Sequence, residues 1–189
     1  MAYSATDVRI GSPDITAVVL TGAEGDPSGI TQLPSVTMAA KLGSTVVAQD
    51  LTNNWEGKFI YLAVPVSTTI TVGLLYQFDK NFNVVVVPVG GTSKNTGAAV
   101  VVAYTAVTSN ASTVQYAWFL IQGQVAALKT AVSVSPQQPI YMSATAGRFY
   151  VTSSAGKQIL GARTQNTATV SGGVSSVNVY FNFSSLEGA

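Results

Sequence analysis

From about residue 56 onward the chain alternates between apolar and polar positions. In Ser175–Phe183, the residues Val177, Val179, Phe181 and Phe183 fall between Ser176, Asn178, Tyr180 and Asn182. A period of two places one apolar face on an extended strand. The same reading predicts strands over Lys58–Val66, Ile70–Phe78, Phe82–Val89, Ala98–Val107 and Thr113–Gln122. Further strands are predicted over Pro139–Ser143, Gly147–Thr152 and Lys157–Arg163. Turn residues separate them: Asp79-Lys80-Asn81 reads as a short hairpin loop, and Gly90-Gly91, Ala146-Gly147, Ala155-Gly156 and Gly172-Gly173 tolerate positive φ. Valine, with 27 copies, and threonine, with 21, are β-branched and favour a pleated surface. The one candidate for a helical turn or two is Thr37–Leu42. Short strands at regular spacing predict an all-β fold, a β-sandwich or jelly roll, or a barrel-like domain.

The first 55 residues read differently. Gly11-Ser12-Pro13, Gly22, Gly25-Asp26-Pro27, Ser28-Gly29 and Pro34 break the pattern early, and the apolar runs between them are short. Residues 1–55 are therefore expected to form an extended N-terminal arm, with a strand or two, ahead of a β domain over 56–189. Such an arm would gain order from neighbouring molecules. Its apolar run offers Ile15, Val18 and Leu20 as candidate contact residues. Trp55, beside Asn53 and Asn54 at the junction, is another. The remaining large aromatics, Phe59, Tyr61, Tyr116, Trp118 and Phe119, are expected in the core.

Composition narrows the surface. Charged residues are 9% of the chain, against about 25% in an average soluble protein. Ser, Thr, Asn and Gln together number 59 of 189, so the surface is mostly neutral hydroxyl and amide. Net charge is +1, but it is unevenly spread: residues 1–79 hold seven acids and three bases, and residues 80–186 hold six bases and no acid. This asymmetry suits complementary packing against a partner.

The residue inventory excludes much chemistry. Without His or Cys there is no Ser-His-Asp triad, thiolate nucleophile, imidazole ligand or disulfide framework. Glu56 and Asp79 are the only acids on predicted core strands or turns, and both read as exposed turn residues, not a glycosidase pair. Glu24-Gly25-Asp26 is too sparse for a calcium loop, and Gly90-Gly91-Thr92-Ser93-Lys94 lacks phosphate-loop spacing. No basic cluster is interleaved with aromatics, so no direct nucleic-acid binding is expected. No apolar run approaches the ~20 residues of a membrane helix, and residues 1–20 carry no signal-peptide pattern. The expectation is a non-enzymatic protein without cofactor or metal.

Five segments then appear in order: Glu56-Gly57-Lys58-Phe59-Ile60-Tyr61-Leu62, Tyr116-Ala117-Trp118-Phe119-Leu120-Ile121-Gln122-Gly123, Pro139-Ile140-Tyr141-Met142-Ser143-Ala144-Thr145-Ala146-Gly147, Ile159-Leu160-Gly161-Ala162-Arg163 and Val177-Asn178-Val179-Tyr180-Phe181-Asn182-Phe183. In this order they resemble the head decoration, or capsid cement, proteins of tailed bacteriophages, over about residues 56–183. The resemblance implies a structural virion protein, made in the host cytoplasm. It would bind the capsid exterior, clamp neighbouring major capsid proteins after head expansion, and often self-associate as a homotrimer near threefold positions. The chain departs from the family in the loop after the Ala-Gly turn, where relatives carry acids and this chain has Arg148; that makes Arg148 a candidate contact residue. Two other readings fit the residues: a phage tail or fibre assembly subunit, and a carbohydrate-binding β-sandwich module.

Overall fold

The computed structural model describes residues 41–50, 55–88, 97–109 and 111–187, together with the backbone of two short strands near the N-terminus. The described residues form fourteen strands: β1 (Tyr3–Ala5), β2 (Val19–Leu20), β3 (Thr45–Asp50), β4 (Trp55–Val64), β5 (Thr69–Ile70), β6 (Leu75–Phe78) and β7 (Val84–Val86), followed by β8 (Val100–Ala103), β9 (Val107–Thr108), β10 (Gln115–Leu128), β11 (Pro139–Met142), β12 (Phe149–Tyr150), β13 (Gln158–Thr164) and β14 (Ser176–Leu186). No helix occurs among the described residues. The fold is all-β: a single antiparallel sheet curls into a half-barrel in the order β1-β3-β4-β10-β14-β13-β11-β12. β5 and β9 form a separate pair.

The long strand β10 organises the sheet. One of its edges carries β4, from Gln115↔Val64 to Gln122↔Lys58. The opposite edge is shared by β2 at Gln115 and Tyr116, β8 at Phe119 and Leu120, and β14 from Gln122 to Leu128. β8 pairs on with β6, and β6 with β7, so this branch folds back over the sheet.

Alternation along these strands supplies two cores. Inside the curl lie Phe59, Tyr61, Trp118, Leu120, Val177, Val179 and Phe181, with Val134, Ile140, Met142, Phe149 and Ile159 from the far strands. On the opposite face of β4, β8 and β10 lie Ile60, Leu62, Val101, Phe119 and Ile121, covered by Ile70, Tyr76, Val84 and Val107. Of the aromatics expected in the core, Phe59, Tyr61, Trp118 and Phe119 are buried there and Tyr116 packs against it half-buried; Tyr61 lies 4.9 Å from Trp118, ring centre to ring centre. A sheet buried on both faces at its centre explains the unbroken burial from Phe59 to Val64, where polar alternation disappears.

The hairpin read at Asp79-Lys80-Asn81 joins β6 and β7. The Asp79 carboxylate accepts from the Asn83 side-chain amide and from the backbone N–H groups of Asn83 and Asn81, which holds its carboxyl below the usual range.

Several boundaries differ from the pattern reading. Ile70–Phe78 is two strands, because the chain turns between them and Leu74 N–H closes onto Thr71 carbonyl at 3.2 Å. β10 runs on through Gly123 to Leu128 instead of ending at Gln122. Thr45–Asp50, within the segment read as an arm, pairs along its full length with β4. The helical turn at Thr37–Leu42 and the rest of the arm lie mostly outside the described residues; Lys41–Ser44 form a tight turn. Phe183 does not continue the apolar face of β14. It stands at φ 46 with 57% of its surface exposed, while Ser184 turns inward and is buried.

Candidate binding surface

Where the second core ends, the outer face of the sheet opens to solvent and changes character. Register places Lys58, Gln122 and Asn182 in one row across β4, β10 and β14. The next row is Gln124, Tyr180, Arg163 and Pro139, across β10, β14, β13 and β11. Inward-facing neighbours fill the core, so period two sends this set outward. The result is an amide-rich face with isolated cations. Lys58 Nζ lies 5.3 Å from the centre of the Phe183 ring, where the ring's negative face attracts it.

Two irregularities shape this face into a cleft. Between Leu160↔Ser185 and Ala162↔Phe181, the single residue Gly161 faces three residues of β14, Asn182, Phe183 and Ser184. Gly161 has φ +74, and a Cβ there would lie 2.7 Å from the Asn182 carbonyl oxygen, so only glycine lets the strands approach. The extra residues push Phe183 into the left-handed region and out to solvent, the way a bulge re-aims a side chain. Phe183, Leu160 and Val47 are exposed apolar residues on or beside this surface. On the other side, Pro139 pairs with Arg163 while the next residue, Ile140, pairs with Ile159, so β13 bows out. Together the bulges leave a cleft of about 560 Å³ lined by Gln137, Pro139, Gln158, Arg163, Gln165, Tyr180 and Asn182, with Gly161 and Ala162 as its floor.

A buried threonine holds one wall. Thr164 is fully buried; its hydroxyl accepts from Gln138 N–H at 2.9 Å and donates to the Ser135 carbonyl at 3.0 Å. The segment so fixed carries Gln137, whose amide donates to Gln165 Oε1 at 3.1 Å. Thr164→Val keeps the shape and leaves both backbone groups unpaired. It is expected to lower stability by about 1–2 kcal/mol, measured as a lower urea midpoint with unchanged slope.

The residues singled out from the sequence fall elsewhere. Ile15 and Val18 lie outside the described residues. Leu20 belongs to β2, whose backbone pairs with β10 opposite Gln115. Trp55 begins β4 opposite Asp50 and is half-buried. The Arg148 guanidinium donates to the Lys129 carbonyl at 2.9 Å and so serves the chain's own hairpin. Glu56 is exposed on β4 and Asp79 caps its hairpin, on separate elements. The cleft residues were not singled out. One signal was present: a glycine inside the strand pattern Ile159-Leu160-Gly161-Ala162-Arg163, which marks a bulge or a close approach. Comparison with protein-family models and with curated proteins finds no match to this chain.

Proposed function

We propose that this chain is a structural protein of a virion, binding the outer surface of a tailed-phage capsid and bridging its major capsid proteins. The observation that carries the reading is the order of the resembling segments. They fall on β4, β10, β11, β13 and β14, five strands contiguous in the sheet. The quoted pattern therefore corresponds to one continuous structural unit and not to scattered strands. The physical character of the surface supports the same reading. A face of amides and hydroxyls with few charges costs less to cover than a charged one, provided its groups find hydrogen-bond partners on the other protein. Several interfaces of ordinary size, each about 1,600 Å², would hold a shell through avidity without strong single contacts.

The test is co-sedimentation of the purified chain with expanded and unexpanded heads of the phage that encodes it. Saturable binding to expanded heads, weaker or absent on unexpanded ones, is the expected result. Failure to bind either form, with binding to isolated tails instead, would replace this reading with a tail or fibre subunit.

A further inference from the structure

We infer that the cleft between β13 and β14 is a binding site for a carboxylated oligosaccharide. The inference rests on the cleft alone and stands whether or not the chain coats a capsid.

Size comes first: about 560 Å³ falls within the roughly 300–1,000 Å³ of ordinary ligand sites. The lining then selects the ligand. Gln137, Gln158, Gln165 and Asn182 each present a carbonyl acceptor beside an NH₂ donor. A sugar hydroxyl both donates and accepts, so an amide pair satisfies it on both counts. The Gln137–Gln165 bond fixes two of these amides in advance and still leaves the Gln165 NH₂ and the Gln137 carbonyl free to face a ligand. Tyr180 stands directly across from Arg163, offering a flat ring for the C–H face of a pyranose and a hydroxyl at its rim.

Arg163 sets the charge preference. It is exposed, and its side chain makes no ion pair or hydrogen bond with a described residue. No carboxylate is among the described lining residues; Glu187, beside the Gln158 end, already accepts the Gln158 backbone N–H at 3.1 Å. A guanidinium with its donors unused matches a carboxylate through two parallel N–H···O bonds. Other ligand classes fit worse. A protein side chain would be anchored in an apolar pocket, whereas here Pro139, Ala162 and the Tyr180 ring stand among four amides, a mixture that suits a sugar's C–H face and hydroxyls together. A nucleic acid needs several cations along its phosphates, and the cleft supplies one.

The experiment is an array of uronate-containing, sialate-containing and matched neutral oligosaccharides, probed with the full chain and with the Arg163→Ala, Arg163→Lys and Tyr180→Ala variants. The expected result is binding to one acidic class, with the neutral counterpart weaker by about tenfold or more. Arg163→Ala should abolish that preference, Arg163→Lys should restore part of it, and Tyr180→Ala should weaken acidic and neutral binding alike. Melting curves of the variants, expected to match the parent, separate loss of the site from loss of the fold. Which acidic class binds identifies the ligand's source. No acidic binding, equal binding of neutral sugars, or an Arg163→Ala variant that binds like the parent would each overturn the assignment.

Discussion

Gly123→Ala is expected to lower the thermal midpoint of this protein by roughly 6–12 °C, the equivalent of about 3 kcal/mol for a chain of this size. Two effects add. Gly123 sits at φ +119, a conformation that L side chains rarely adopt, and holding alanine there costs about 1–3 kcal/mol. The new Cβ would also lie 2.8 Å from Gly57 Cα and 2.9 Å from the Glu56 carbonyl oxygen. Those are backbone atoms of β4, so relief requires the two strands to part. They cannot part cheaply, because β4 and β10 enclose Phe59, Tyr61, Trp118 and Leu120, all of them buried. Gly173→Ala is the matched control: nothing lies within 4 Å of its position and its φ is not in the left-handed region. That change should stay within about 0.5 kcal/mol of the parent. Equal losses at the two positions would show that the close approach of β4 and β10 is not what requires glycine at 123.

The same residue explains how far the fold could be read from the sequence. Alternation announces a strand wherever one face is apolar, and from β4 onward it marked the strand regions, though it merged β5 with β6 and β8 with β9. It ended β10 at Gln122 because a glycine ordinarily weakens a strand. Here the strand continues past the glycine: pairing with β4 on one edge ends at Gln122, and pairing with β14 on the other begins there, with Gly123↔Phe181 its second pair. β3 escaped for the opposite reason. Its residues Thr45–Asp50 show no clean two-fold pattern because Val47 faces out and Asp50 faces in. The cleft escaped for a third reason. Arg163, Tyr180 and Pro139 are far apart in sequence and meet only through register. A one-residue slip in either pairing would send those side chains to the other face. Phe183 shows how local such decisions are: the apolar pattern assigns it inward, and a bulge sends it out.

The absence of acids from residues 80–186 takes on a structural meaning in this light. That stretch builds β10 to β14 and both walls of the cleft. The stretch holds no carboxylate of its own, so a base drawn against the fold meets a carbonyl, and an exposed one is left to water or a ligand. Arg148 takes the Lys129 carbonyl, and Lys58, contributed by the earlier acidic half, lies over Phe183. The Arg163 side chain takes neither a carbonyl nor a ring within the described residues, and it is the base among the described residues that line the cleft.

Lys129 is the most deeply placed of these bases, and Lys129→Met is expected to destabilise the protein by about 2–4 kcal/mol at neutral pH. The lysine is 1% exposed at the end of β10. Its ammonium donates to the Val132 carbonyl at 2.8 Å and the Ser171 carbonyl at 3.1 Å, with the Thr130 carbonyl at 3.5 Å. It thereby ties two loops, around 130–132 and 171, to the central strand. Methionine matches the length of the side chain and donates nothing, so the carbonyls that close on the ammonium lose their partner, at about 1–3 kcal/mol for each one left buried and unpaired. Part of that loss is offset because a buried charge is removed as well. The two terms separate with pH. Burial lowers the Lys129 pKa below the ordinary 10.5, so the folded protein holds this proton less tightly than the unfolded chain and unfolding takes a proton up. The lysine's contribution therefore grows as pH rises through the window beneath 10.5 and levels off above it. Urea titrations of the parent and of Lys129→Met between pH 7 and pH 10.5 should show the stability gap widening with pH. A gap that narrows would mean the three carbonyls favour the charged amine by more than burial disfavours it, and that the ammonium, not the neutral amine, is the form the fold prefers.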